Sequence, residues 1–128
     1  MRETMTRDEF NDYCQSLPCT TNIVQWGNAS VWKIGGKIFA ICADWSKDNG
    51  PGIGFKCSDL SYRILIEQDG IMPSPYLARA KWVRLTTHDA MTDDDIKLYI
   101  ERAYLIITAK LTKAKLKELG LEKPILDY

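Results

Sequence analysis

The sequence predicts an α+β domain: a two-layer sandwich in which a mainly antiparallel sheet carries helices packed on one face. Three observations support this. Strand-like segments follow one another between residues 21 and 57, separated by turn residues. Amphipathic helical patterns stand before and after them. The length, 128 residues with 45% hydrophobic residues, suits one compact domain over 1–128, with a core of about 6–119.

The elements can be justified in order. Thr6-Arg7-Asp8-Glu9 is a capping box, in which Thr6 caps the helix and Glu9 reaches back to its amide. Phe10, Tyr13, Cys14 and Leu17 follow at helical spacing, and Pro18 ends the run. Thr21–Trp26 and Ala29–Ile34 are rich in β-forming residues. Gly35-Gly36 suits a two-residue turn into a partner strand, Lys37–Asp44. Its apolar centre, "IFAIC", fits a central strand. "SKDNGPGIG" reads as a loop and Phe55-Lys56-Cys57 as a fourth short strand.

Ser58 caps a second helix, with Leu60, Ile64 and Leu65 expected on its inner side and Gly70 just beyond its end. "MPSPY" is expected as a rigid extended connector. From Lys81 to Thr86, Trp82 and Arg84 alternate with Val83 and Leu85, a strand with two unlike faces. Thr92 caps the last helical region, and Ile96, Ile100, Ala103 and Ile107 form its apolar stripe. A break is expected near Thr108, and Gly120 and Pro124 end the helical pattern.

Composition narrows the function classes. Lys plus Arg number 17 and Asp plus Glu number 17, so any role with nucleic acid must rest on local asymmetry. No stretch reaches the ~18 apolar residues of a membrane helix, and "MRETMTRDEF" has no signal-peptide character. A cytoplasmic protein without a membrane partner is expected. Cys14, Cys19, Cys42 and Cys57 contain no C-x-x-C pair and read as reduced, mostly buried thiols.

No enzyme, metal or cofactor is expected. His88 is the single histidine, and no scattered cysteine stands at zinc spacing from it. No nucleophile and base form a coherent pair. "NGPGIG" lacks the Lys-Ser/Thr ending of a phosphate loop and reads as a hairpin loop. Asp93, Asp94 and Asp95 sit where a helix dipole favours negative charge, and consecutive helical residues do not converge on one ion.

Charge is segregated along the chain. Arg79, Lys81 and Arg84 flank Trp82 with no acid among them. Lys110, Lys113, Lys115 and Lys117 are likewise acid-free, and Lys110, Lys113 and Lys117 share a face if the helix is continuous. Such clusters suit a phosphate backbone, and the competing reading is a solvated lysine face. Trp82 itself reads as core or half-buried in preference to a stacking platform.

The order and spacing of "TRDEFNDYCQSLP", "VWKIGGKIFAIC", "GFKCSDL", "SPYLARAKWVRL" and "MTDDDIKLYIERAYLIITAKL" resemble the MmcQ/YjbR family of small bacterial proteins. The resemblance implies a two-layer α+β fold like that of secretion chaperones and related to the frataxin-like arrangement. It also implies DNA binding without known enzyme activity. Many relatives carry His directly before this Trp, where Lys81 stands here, and Ser before the later Tyr, where Ala103 stands. Lys81 keeps positive charge at that position.

Two functions follow as expectations. One is binding of double-stranded DNA through mainly phosphate-backbone contacts at Arg79, Lys81, Trp82, Arg84, Lys110, Lys113 and Lys117. The other is a protein-interaction module, chaperone-like or dimerising, that uses an open sheet face or an edge strand. An exposed patch of Trp26, Trp32 and Trp45 would favour the second.

Overall fold

A computed structural model describes residues 5–43, 52–74 and 77–126. Helix α1 (Arg7–Ser16) precedes four strands: β1 (Thr20–Gln25), β2 (Ala29–Ile34), β3 (Lys37–Cys42) and β4 (Ile53–Lys56). Helix α2 (Asp59–Leu65) and β5 (Ile71–Pro73) follow, then a 3-10 turn at Ala78–Ala80 and β6 (Trp82–Leu85). Helices α3 (Asp93–Thr108) and α4 (Lys113–Leu119) close the domain. The strands form one sheet in the order β1-β2-β3-β4-β6-β5, with every neighbour antiparallel. The expected α+β class holds.

Local chemistry sets the helix ends. Thr6 Oγ1 accepts from the Glu9 amide at 3.2 Å, and Glu9 Oε1 accepts from the Thr6 amide at 3.0 Å. Thr6→Ala removes the hydroxyl half of this box and is expected to cost about 1 kcal/mol. A matching drop in urea midpoint, with an unchanged slope, is the check. Ser58, Thr92 and Thr112 cap α2, α3 and α4 in the same way. Gly120 ends α4 at φ +71°, a left-handed conformation that suits glycine.

The helix-facing side of the sheet holds the main core. Phe39, Phe55, Val83 and Leu85 from the strands meet Phe10 of α1 and Ile96 and Ile100 of α3, all fully buried. Phe55 stacks on Tyr99 at 5.7 Å between ring centroids, and the Tyr104 hydroxyl donates to the Pro18 carbonyl at 2.7 Å. The alternation expected in β6 is present: Val83 and Leu85 enter this core, while Trp82 joins Ala29, Val31 and Ile41 in a small cluster on the other face.

Three expectations change. Met72 and Pro73, expected as part of a connector, join Ile71 in an edge strand paired with Leu85, Arg84 and Val83, where the missing proline N–H costs no ladder bond. Leu60 and Ile64 are exposed, and α2 turns Leu65 and Tyr62 inward. Apolar residues on both sides of this short helix leave its inner face undecided by period alone. The outer sheet face is closed at its centre, where Val31, Ile41 and Trp82 are buried and Leu77 packs beside them, and open at Ile23 of β1. Trp32 is buried on the helix side, Trp26 is exposed, and Trp45 and most of the "SKDNGPGIG" loop lie outside the described residues. The burial of Trp32 takes it out of the patch that would have favoured a protein partner on this face.

Candidate nucleic-acid interface at one end of the sheet

Strand direction gathers basic residues at one end of the sheet. The β2–β3 turn lies there, with Lys37 beginning β3. Because β4 runs antiparallel to β3, Lys56 finishes β4 at the same end, paired with Trp82 at the start of β6. The Cys57 amide donates to the Lys81 carbonyl at 2.8 Å. The joint between α3 and α4 reaches this end too: a Cβ on Gly35 would lie 2.7 Å from Leu111 Cδ1. Lys110 sits in that joint, exposed.

Lys56 is the buried centre of the group. It is 8% exposed, and its Nζ donates to the Ala80 carbonyl, which ties β4 to the turn carrying Arg79. Burial pushes its pKa down from the ordinary value; repulsion from Lys110 and, less strongly, Lys81 adds to the effect, while Asp59 and Cys57 oppose it. Lys110 and Lys81 therefore both lie within electrostatic reach of this ammonium. Lys81 holds a left-handed backbone, φ +62°, a costly conformation for a residue with a Cβ. Its Nζ stands 5.1 Å from the centre of the Tyr62 ring, a cation–π distance. Among the described residues, Arg79, Lys81 and Lys110 form no ion pair.

The expected contact residues thus divide. Lys81 and Lys110 lie around Lys56, and Arg79 sits in the turn whose Ala80 carbonyl accepts from Lys56. Lys113, the first residue of α4, lies beside Lys110 in the chain. Lys117 is one turn further along α4, and the helix is broken between Thr108 and Thr112, so Lys110 does not share its face with Lys113 and Lys117. Arg84 stands opposite Gly54 on the outer face, about 7 Å further along β6 than Trp82. Trp82 is 4% exposed and offers no ring face to a base. Lys56 was missed because "FKC" reads as strand. A lysine between Phe55 and Cys57, just before the cap at Ser58, is the signal that could have found it.

The acidic residues lie at the far end of α3. Asp93, Asp94 and Asp95 occupy its first turn, and 16 residues of helix separate the ends by about 24 Å. Asp93 Oδ1 also accepts from the Met5 amide at 2.9 Å. The first-turn aspartates of α3 therefore stand far from the joint that holds Lys110.

The thiols serve packing. Cys14, Cys42 and Cys57 are buried, and burial pushes Cys42 up to about 11 and Cys57 up to about 12 from an ordinary 9.0, with Cys14 also pushed far up. Neutral thiols are poor nucleophiles. Cys19 is exposed. A chromogenic disulfide reagent is expected to label one cysteine in the native protein, Cys19, and all of them after unfolding. The raised values also set a sign. The unfolded chain loses these protons first, so stability is full below about pH 9 and falls as pH rises toward 11–12. Lys56 shifts in the opposite sense, one group against three thiols. Among the described residues no group of three His, Cys, Asp or Glu is placed to hold a metal, and no helix is long and apolar enough to cross a membrane.

The fold and this basic end define a small α+β domain with a charged surface as its candidate site. The family model named YjbR matches residues 15–106, and the chain belongs to the YjbR family. Among solved structures it is similar to Deinococcus radiodurans protein DR2400, a crystal structure of a DUF419 domain. The two share 24% sequence identity and a TM-score of 0.77, over 95% of this chain and 93% of that one. That similarity concerns the fold. No curated protein matches.

Proposed function

We propose that the protein binds double-stranded DNA through the phosphate backbone, using the basic end of the sheet and carrying out no catalysis. The observation that carries this reading is that Lys81 and Lys110, 29 positions apart in the chain, both lie within electrostatic reach of the buried Lys56, whose ammonium donates to the carbonyl of Ala80, next to Arg79. Gathering like charges costs folding free energy, and an anionic partner offsets that cost when it binds. Duplex DNA presents phosphates in a row, and lysine and arginine contacts to them fix position without reading sequence. Binding is mainly non-specific, because α4, which follows Lys110, carries no Asn, Gln or Arg for base edges. The setting we infer is the cytoplasm, where the thiols stay reduced.

The test is binding to a short labelled duplex at several salt concentrations. Each phosphate neutralised contributes about −0.9 to the slope of log K against log salt. A slope worth several phosphates supports the reading. Absence of binding at low salt removes it and leaves the lysines as solvated surface.

A further inference from the structure

The two edges of the sheet are unlike. The β5 edge is three residues long and ends in Pro73. Short strands and prolines are what natural sheets use to prevent further pairing. The β1 edge has neither device. It is six residues long, "TTNIVQ", with no charge and no proline. Its four central residues are exposed.

The exposed apolar residues of β1 lie on both of its faces. Ile23 pairs with Val31, a residue of the outer cluster, and is 44% exposed. Val24 pairs with Ser30 on the helix side and is 55% exposed. Trp26 follows at the hairpin tip, 64% exposed and at φ +53°. A partner docking on one face of the sheet would cover Ile23 or Val24 and leave the other in water. A strand added along the edge covers both and satisfies the outward backbone groups as well.

We infer that β1 pairs antiparallel with β1 of a second copy of this chain, joining the two sheets across a two-fold axis at Ile23. In this register Ile23 opposes itself, Asn22 opposes Val24, and Thr21 opposes Gln25. No charged residue meets its like, and the net formal charge of zero lets two copies approach without long-range repulsion. A second copy brings a strand that is already formed, so it loses less conformational freedom on pairing than a flexible peptide does. Closed two-fold pairs are also the commonest assemblies of identical chains. Trp26, exposed at the hairpin tip just beyond β1, flanks the joined edge in each copy.

Sedimentation equilibrium over a wide concentration range tests this. The wild-type chain is expected to dimerise. Ile23→Lys sets two ammonium groups against each other at the axis, and the dimer dissociation constant should rise more than about tenfold. Ile23→Glu should do the same. Because Ile23 is exposed in the single chain, both variants should keep the wild-type circular dichroism spectrum. Mixing the two variants puts Lys opposite Glu and should restore the dimer. A wild-type chain that stays monomeric at every concentration overturns the inference, as does a dimer indifferent to both substitutions. Failure of the mixture to re-form a dimer overturns the pairing at Ile23.

Discussion

Replacing Arg79, Lys81 and Lys110 together by alanine is expected to lower affinity for duplex DNA by on the order of a hundredfold at moderate salt. The slope of log K against log salt should shrink by about 2.7, three phosphates at about 0.9 each. All three side chains lie at the basic end, and among the described residues none is held in an ion pair. Loss of the Lys81–Tyr62 contact and relief of the repulsion at Lys56 act in opposite directions on stability, so thermal unfolding should stay close to that of the wild type. Lys97→Ala is the matched control. It removes an exposed lysine near the acidic end of α3, and affinity should hold or fall only slightly. Arg84→Ala should have a smaller effect than the triple change, because Arg84 lies on the outer face, further from Lys56. Equal losses in the triple variant and the Lys97 control would assign the binding to overall charge.

Trp82→Ala is expected to destabilise the domain by about 3–5 kcal/mol, the usual cost of truncating a buried aromatic. Trp82 packs with Ala29, Val31 and Ile41 on the outer face, and its amide donates to the Leu77 carbonyl at 3.2 Å. Leu77, packed against the same cluster, leads directly into the turn at Ala78–Ala80 that carries Arg79. Trp82→Phe fills most of the space and should cost much less. At a temperature where both variants are folded, Trp82→Phe should bind duplex DNA as the wild type does. A selective loss of binding in a fully stable Trp82→Phe variant would make the ring a direct contact.

Most of the fold was legible in the sequence because local signals agreed with each other. The Thr6 capping box, the Gly35-Gly36 turn and the Ile96–Ile107 stripe each matched the element they announced. Where local signals conflicted, tertiary contacts decided. Leu60 and Ile64 make one apolar face of α2 and Tyr62 and Leu65 another, and only packing selects between them. Pro73 argued against a strand, and an edge position removed the objection.

The site was legible in part for the same reason. Clusters of lysine and arginine are visible along the chain, but their meeting point depends on strand order. Nothing local places Lys110 beside Lys81, which lies 29 positions earlier. Antiparallel pairing of β3, β4 and β6 brings their basic ends together, and the break after Thr108 turns Lys110 toward them. Lys56 gave no charge-cluster signal at all, since its neighbours in the chain are Phe55 and Cys57.

Amide chemical-shift mapping during titration with a short duplex tests, residue by residue, whether DNA binds at the basic end of the sheet. The largest shifts are expected at Lys56, at Arg79–Lys81 and around Lys110, and they should shrink as salt is raised. Shifts centred on β1 or on the first turn of α3, with the basic end unmoved, would contradict that placement.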